Sequence, residues 1–114
     1  MVARPDADVF AALADNARLH IIEALQQRSP LSTTALAAST GKSRQSVRKH
    51  LDVLAAAGLV HDNKVGRTRE WTLDAAPLEE VRTWSQHVYS TWSARFDRLD
   101  AFLQSTAPGE PDVP

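Results

Sequence analysis

Apolar side chains recur every three or four residues through the first half of the chain, which is the spacing of one face of an α-helix. Two such repeats lie in the segments PDADVFAALAD and NARLHIIEALQQRS. Acidic residues begin the first segment, where they stabilise the positive, N-terminal end of a helix dipole. Asp15 or Asn16 can cap the second helix. Pro30 then disfavours helical geometry at Ser29. The pattern therefore predicts two helices before residue 30.

Two more helices are predicted next, with a tight connection between them. The segment STTALAASTG has Ser32 or Thr33 as its cap and Gly41 at its end, since glycine readily adopts the left-handed backbone that ends many helices. Ser43 then caps a helix over residues 43–57, in which apolar side chains stand at i, i+4 and i+7 and share one face.

The hydrophobic pattern changes its period after the fourth helix. In the segment GLVHDNKVGRTREWTLD the helical spacing ends, and near its end Trp71 and Leu73 alternate with Glu70 and Thr72. This alternation is typical of half-buried β-strands, and Gly66 marks a turn. We predict two short strands, over residues 59–63 and 69–73, that form a hairpin.

A single long helix is predicted to close the domain. The segment APLEEVRTWSQHVYSTWSARFDRLDAFLQ opens with a proline and glutamates suited to a first turn. We expect residues 6–104 to form the domain, residues 1–5 a flexible N-terminus, and the proline-rich residues 105–114 a disordered tail. The large apolar residues of the helix are three or four positions apart and form one stripe: Trp84, Val88, Trp92, Phe96, Leu99 and Leu103.

The order of these elements is typical of a winged helix-turn-helix. The third helix, the TGKS connection and the fourth helix have the lengths of a helix-turn-helix, and the hairpin follows where such a domain has its wing. The fold class that we predict is mainly α with a small β-hairpin, comprising about five helices and a two-stranded wing. In this fold the second helix of the pair enters the major groove of DNA.

Basic residues are concentrated in the helix-turn-helix and the wing. The 114-residue chain carries 13 Lys and Arg against 14 Asp and Glu, a net charge of −1, yet residues 42–72 carry seven bases and three acids. This positive excess indicates a face that binds a polyanion such as double-stranded DNA, with a solvated charge run as the alternative.

The residue types of the fourth helix favour direct reading of bases. Arginine pairs bidentately with guanine and glutamine with adenine, so Arg44 and Gln45 are the candidates for base contacts. Arg48 either reads a base or grips a phosphate, and His50 either contacts DNA or has a surface or capping role. Other polar and basic residues of the third and fourth helices, the turn and the wing are candidates for contacts with the DNA backbone, or on the wing with the minor groove: Thr33, Thr34, Lys42, Ser43, Ser46, Lys49, Lys64, Arg67 and Arg69.

Three stretches resemble the ArsR-type winged-helix repressors of bacteria and archaea: LADNARLHIIEAL, SRQSVRKHLDVLAAAGLV and VGRTREWTL. The resemblance covers about residues 8–103. It implies a homodimer that binds operator DNA and represses transcription. It also implies a dimer interface made by the first and last helices, through Val9, Phe10, Leu13, Trp84, Val88, Trp92, Phe96, Leu99 and Leu103.

The chain departs from the pattern of that family at several positions. Asn16 stands where many members have proline, Arg48 where serine is usual, and Trp71 where tyrosine is usual. The thiolate sensors of the family use a Cys-x-Cys pair, whereas this chain has no cysteine, and its four histidines do not pair at i,i+3 or i,i+4. We therefore predict no metal site and no cofactor.

Two alternative interpretations concern binding. The aromatic residues Trp84, Tyr89 and Trp92 are candidates to line a pocket for an unknown small-molecule effector, although dimer packing is the interpretation that we favour. A winged helix used for protein–protein contact, without a DNA target, is the alternative to a DNA-binding regulator. Such modules usually lose the basic, donor-rich face that is present here.

Other classes of protein match the sequence poorly. It has no Ser/His/Asp set, phosphate-binding glycine loop or paired carboxylate motif, so no enzyme is predicted. It has no run of about 18 apolar residues, and its first residues lack the apolar core of a secretory signal. We therefore expect a cytoplasmic protein without a membrane span.

Overall fold

The computed structural model describes residues 2–106 of the chain. Five helices and three strands lie within these residues. In chain order they are α1 (Ala7–Leu13), α2 (Asn16–Gln27), β1 (Leu31–Ser32), α3 (Thr33–Thr40), α4 (Arg44–Ala56), β2 (Val60–Val65), β3 (Thr68–Leu73) and α5 (Ala76–Thr106).

Side-chain caps define where the first four helices begin. Asp6, Asp15, Ser32 and Ser43 each accept a hydrogen bond from a backbone N–H of the first turn, at 2.9–3.1 Å. Of the alternatives left open by the sequence, Asp15 caps α2 rather than the asparagine after it, and Ser32 caps α3 rather than the threonine after it. Gly41 ends α3 in the left-handed conformation, with a φ of 72°, which confirms the helix end that the sequence predicted at this glycine.

The sheet has three strands, so the prediction of two was incomplete. All pairs are antiparallel and the strand order is β1-β3-β2. The additional strand, β1, pairs Leu31 with Trp71 and Ser32 with Glu70. Two residues are too few to show an alternating pattern of apolar and polar side chains. They form a strand because β3, which comes much later in the chain, lies beside them.

The wing, which comprises β2, β3 and the turn between them, is a tight hairpin. Val65 pairs with Thr68, which leaves Gly66 and Arg67 as a two-residue turn. Gly66 has a φ of 63°, a value that suits glycine at the first position of such a turn. The turn therefore places Arg67 at the tip of the wing.

The core lies beneath α4 and is closed by the wing. The apolar face predicted for α4 is confirmed, because Val47, Leu51 and Leu54 are all buried. Trp71, on β3, is only 1% exposed and belongs to the same cluster as Ile21 and other aliphatic side chains of α2 and α3. Burial of each large side chain contributes about 1.5–3 kcal/mol, so α4 and the wing are held by a shared apolar interior.

The long helix α5 leaves the body of the domain after its first turns. Leu78 and Val81 pack against the core, and Trp84 contacts Phe10 of α1 edge to face at a ring-centroid distance of 5.5 Å. The chain beyond them extends the molecule to 81 Å in its longest dimension. Large apolar side chains on this projecting part are exposed: Val88, Tyr89, Trp92, Phe96, Leu99, Phe102 and Leu103.

The two predicted terminal segments lie partly outside the described residues. Residues 2–5 form no helix or strand, although Pro5 is buried. Helix α5 continues through Ser105 and Thr106, two residues into the predicted tail. Residue 1 and the tail residues 107–114 lie outside the described part of the chain.

Candidate nucleic-acid interface

A polar groove of about 700 Å³ lies between the start of α3, the exposed face of α4 and the wing. Ser32 and Thr68, which were not predicted as DNA contacts, also line the groove. Eight of the predicted DNA-contacting residues lie in it: Thr33, Thr34, Arg44, Gln45, Arg48, Lys64, Arg67 and Arg69.

Helix α4 supplies one wall of the groove from its first two turns. The Ser43 hydroxyl accepts from the backbone N–H of Ser46 at 3.1 Å, so the Ser43 side chain is used in capping the helix, and neither serine lines the groove. Arg44 and Arg48 are one turn apart and project from one side, because residues at i and i+4 share a helix face. Gln45 adjoins them. Both side chains proposed as base readers, Arg44 and Gln45, are exposed in this wall.

A buried indole joins the groove to the wing. Trp71 donates from Nε1 to the Oγ1 of Thr33, at 2.9 Å. Thr33 is the first residue of α3 and also lines the groove. The wing is therefore attached both by the pairing of β1 with β3 and by this hydrogen bond to the helix-turn-helix, which fixes its position relative to α4.

The wing cations differ in how strongly they are engaged. Arg69 contacts the Asp62 carboxylate through Nε at 2.8 Å and Nη2 at 2.6 Å, and its guanidinium lies 5.1 Å from the ring centroid of Trp71. Lys64 and Arg67 make no ion pair with any residue of the described chain. These two side chains are free to contact an external anion, whereas Arg69 is held within the wing.

The structure places His50 away from the groove. Its Nδ1 lies 3.3 Å from Nη1 of Arg18 and 4.0 Å from the Asp15 carboxylate. Arg18 in turn donates to the backbone carbonyl of Ala12 at 2.7 Å. The hydrogen bond from the backbone N–H of Arg18 lowers the pKa of Asp15. His50 thus contacts the α1–α2 junction and does not line the groove, and a DNA contact by this residue stays a prediction.

Lys42 and Lys49 are exposed but do not line the groove. Lys42 lies in the connection between α3 and α4, and Lys49 is on α4. Neither forms an ion pair within residues 2–106. They widen the positive surface beside the groove.

The base of the wing is tied to the start of α5. His61 on β2 donates from Nε2 to the Asp74 carboxylate at 2.7 Å, and that carboxylate also accepts from the backbone N–H of Ala76 at 2.9 Å. These contacts lower the pKa of Asp74, the backbone hydrogen bond more strongly than the histidine. The wing and the long helix therefore share one polar junction.

Two acidic residues next to the groove were not singled out by the sequence analysis. Asp52 contacts Arg48 at 3.3 Å and Asp62 contacts Arg69. The i,i+4 spacing of the first pair is visible in the sequence. The second pair joins two strands diagonally, and it could be read only once the register of the hairpin was known.

The residues proposed for a dimer interface fall into two groups. Val9 is buried within the core of the protomer, and Phe10, Leu13 and Trp84 are half-buried beside it. The remaining five are exposed on the projecting part of α5: Val88, Trp92, Phe96, Leu99 and Leu103. The aromatic residues considered for an effector, Trp84, Tyr89 and Trp92, line one shallow depression of about 340 Å³ on that helix.

Comparison with known proteins places the chain in a family. Residues 13–63 match the family described as a helix-turn-helix domain. An HTH-type transcriptional regulator of Mycobacterium tuberculosis is 42% identical over 74 residues, which are 65% of this chain and 68% of that protein. The structure of an ArsR-like transcriptional regulator from Rhodococcus sp. RHA1 is 33% identical, covers 88% of this chain and 91% of its own, and superimposes with a TM-score of 0.76.

This chain belongs to the ArsR family of winged helix-turn-helix transcriptional regulators. The resemblance and the winged-helix fold predicted from the sequence are thereby confirmed. This ArsR-family chain is a DNA-binding transcriptional regulator. A homodimeric winged helix-turn-helix DNA-binding domain from Mycobacterium bovis has a similar structure, with a TM-score of 0.60, 26% identity, and coverage of 74% of this chain and 77% of its own.

Two further observations describe the ArsR-family chain over residues 2–106. Within that range no three side chains of the His, Asp or Glu type are close enough together to share a metal ion. None of the helices in the same range is both long and apolar enough to cross a membrane.

Proposed function

We propose that this regulator represses transcription as a homodimer, with the groove of each protomer on one half-site of a pseudo-palindromic operator. The observation that carries the proposal is the groove itself, which is lined by five cationic side chains from α4 and the wing, one of them the candidate base reader Arg44, and by the second candidate base reader, Gln45. Residues 6–104 are the unit that binds DNA and dimerises, and the protein acts in the cytoplasm of a prokaryotic cell.

The two walls of the groove have different roles in this proposal. Helix α4 enters the major groove with its N-terminal end, where Arg44 and Gln45 reach base edges. Lys64 and Arg67 contact phosphates or the adjacent minor groove, since no acid of the described chain neutralises them. Arg69 holds the wing in shape instead of contacting DNA, because Asp62 engages it from two of its nitrogens.

The exposed apolar side chains on the projecting part of α5 support dimerisation through this helix. Seven large apolar side chains on the projecting helix are at least 45% exposed in the protomer. Exposure of so much apolar surface to water is unfavourable, and a second copy of the chain can bury it. The similar domain from Mycobacterium bovis is homodimeric. In a two-fold dimer the two α4 helices meet half-sites about one turn, roughly 10 bp, apart.

Repression is proposed to be steric, because a dimer on a promoter occupies the surface that polymerase needs. A small-molecule effector would release the operator by binding better to a dimer that cannot engage DNA.

Selection of bound fragments from genomic DNA with the purified full-length chain tests the proposed function. We expect a small set of fragments that share an inverted repeat, and tight binding of the recovered site but not of its scrambled version. Recovery of fragments without a common sequence would contradict the proposal and would favour a winged helix that binds proteins.

Replacing Arg44 with alanine is expected to cost roughly 1–3 kcal/mol of binding free energy and to relax the preference at one base position. The physical reason is the loss of a bidentate contact that only one base can offer. Fluorescence anisotropy on the selected operator and on variants changed at single positions measures both effects. Lys42→Ala is the matched control and should weaken all sequences alike; the same uniform loss for Arg44→Ala would reduce Arg44 to a phosphate contact.

Replacing Lys64 or Arg67 with alanine is expected to weaken binding to every sequence and to flatten the dependence of log K on log salt by about one unit. Each side chain releases counterions when it neutralises a phosphate. Titrations at several salt concentrations measure the slope. Arg98→Ala, which removes an exposed cation of α5 outside the groove, should leave it unchanged. An unaltered slope for the wing variants would remove the wing from the interface.

A further inference from the structure

We propose that Asp52 holds Arg48 in position to read a guanine, so that the two residues act together as a determinant of sequence specificity. The inference rests on the proposed function, since it concerns the groove through which this regulator binds DNA. It decides between the two roles that the sequence left open for Arg48.

The geometry of the pair is the first step. Arg48 lines the groove one turn after Arg44, and its Nε donates to Oδ1 of Asp52 at 3.3 Å. The side chains are 46% and 59% exposed, so the pair stands at the surface of α4. Only the Nε of Arg48 is engaged, and both of its terminal Nη groups are without a hydrogen-bond acceptor among residues 2–106.

A guanidinium held in this way presents a two-donor edge. Its planar fork keeps the two Nη groups coplanar with the Nε that Asp52 holds, and they match the O6 and N7 acceptors of guanine in the major groove. A long side chain that is already held in position loses less rotamer freedom when it binds. Arg48 is therefore better prepared for a bidentate base contact than an unpaired arginine on the same helix.

The charge of the pair argues against phosphate gripping. The carboxylate neutralises the guanidinium, so the pair adds little to the positive field that attracts the DNA backbone. An acid on the helix that enters the groove is itself repelled by phosphates. Arg44, Lys64 and Arg67 have no such partner in the described chain and supply the uncompensated charge. The pair thus suits discrimination between bases rather than general affinity.

Two substitutions separate these roles. Arg48→Ala, made together with Asp52→Asn so that no unpaired carboxylate remains, should lower the preference for guanine at one operator position by about 5- to 150-fold and leave the salt dependence nearly unchanged. Asp52→Asn keeps the size of the side chain but removes its charge. The freed arginine should then lose much of the same guanine preference and steepen the salt dependence by about one unit, because it becomes available to phosphates.

The experiment uses the full chain and the operator recovered by genomic selection. Binding is measured for the operator and for duplexes in which one half-site position at a time carries each of the other three bases. Each duplex is titrated over a series of salt concentrations. Asp62→Asn is the matched control: it frees Arg69 on the wing and should steepen the salt dependence without altering base preference. Circular dichroism on heating verifies that each variant folds as the unsubstituted chain does.

Two results would overturn the inference while leaving the proposed function intact. Uniform weakening of all duplexes by Arg48→Ala made together with Asp52→Asn, with a slope flatter by about one unit, would make Arg48 a phosphate contact. An unchanged base preference in Asp52→Asn would show that the ion pair is a surface contact with no role in base recognition. By contrast, failure of the unsubstituted chain to prefer any duplex would overturn the proposed function, and this inference with it.

Discussion

Replacing Trp71 with alanine is expected to lower the free energy of unfolding by roughly 3–5 kcal/mol. The indole is 1% exposed and lies in the core cluster, so its removal leaves a cavity that neighbouring aliphatic side chains fill incompletely. The substitution also removes the hydrogen bond from Nε1 to Thr33. A loss of this size is a large part of the 5–15 kcal/mol, roughly, that stabilises a small domain.

Urea unfolding at a fixed protein concentration measures this loss, with the concentration fixed because an oligomer adds to apparent stability. Trp71→Phe retains most of the apolar volume and should cost less than the alanine variant. Val65→Ala is the matched control on the same wing: this valine is 52% exposed, and its loss should alter stability by no more than about 0.5 kcal/mol. A loss below about 1 kcal/mol in Trp71→Ala would show that the wing is not anchored through this side chain.

Replacing Trp92 with aspartate is expected to convert the dimer into a monomer. Trp92 is 63% exposed in the protomer and stacks on Phe96 at a centroid distance of 5.6 Å, in the middle of the stripe on α5. If a second copy covers this stripe, the aspartate would be buried without a partner, which is strongly unfavourable. Sedimentation equilibrium should then give the mass of a single 12.5 kDa chain, against twice that mass for the unsubstituted protein.

Ala94→Asp is the matched control for the dimer. It places the same carboxylate on the same helix, but two residues correspond to a rotation of about 200°, so it faces away from the stripe. This variant should remain dimeric. If Trp92→Asp also sedimented as a dimer, the α5 stripe would not be the contact between protomers. The exposed aromatic residues would then have to bind something other than a second copy of the chain.

Local signals in the sequence were sufficient for most of the helical framework. Capping residues, the glycine at position 41 and the i, i+4, i+7 face of α4 each depend on neighbours within two turns, and the structure has these helices where the sequence predicts them. The alternation around Trp71 likewise predicted a strand that buries its indole. Family membership was readable from three short stretches for the same reason, since each stretch is contiguous in the chain.

Contacts between distant residues were decided only by the tertiary structure. The third strand is two residues long and exists because β3 passes beside Leu31. Arg69 was counted among the DNA contacts because it is basic, but the hairpin register brings Asp62 beside it. His50 was equally ambiguous, and packing of α4 turned it towards Arg18 and Asp15.

The sequence by itself therefore determined the helices, the basic character of the helix-turn-helix and wing, and the apolar stripe of α5, because each is a property of residues close together in the chain. The tertiary structure decided which of the cations remain free. Three of the five groove cations have no acidic partner within the described residues, and two are held by aspartates. The physical reason is that an ion pair forms only between charges a few ångströms apart in space, and the sequence does not give the distances between side chains on different strands.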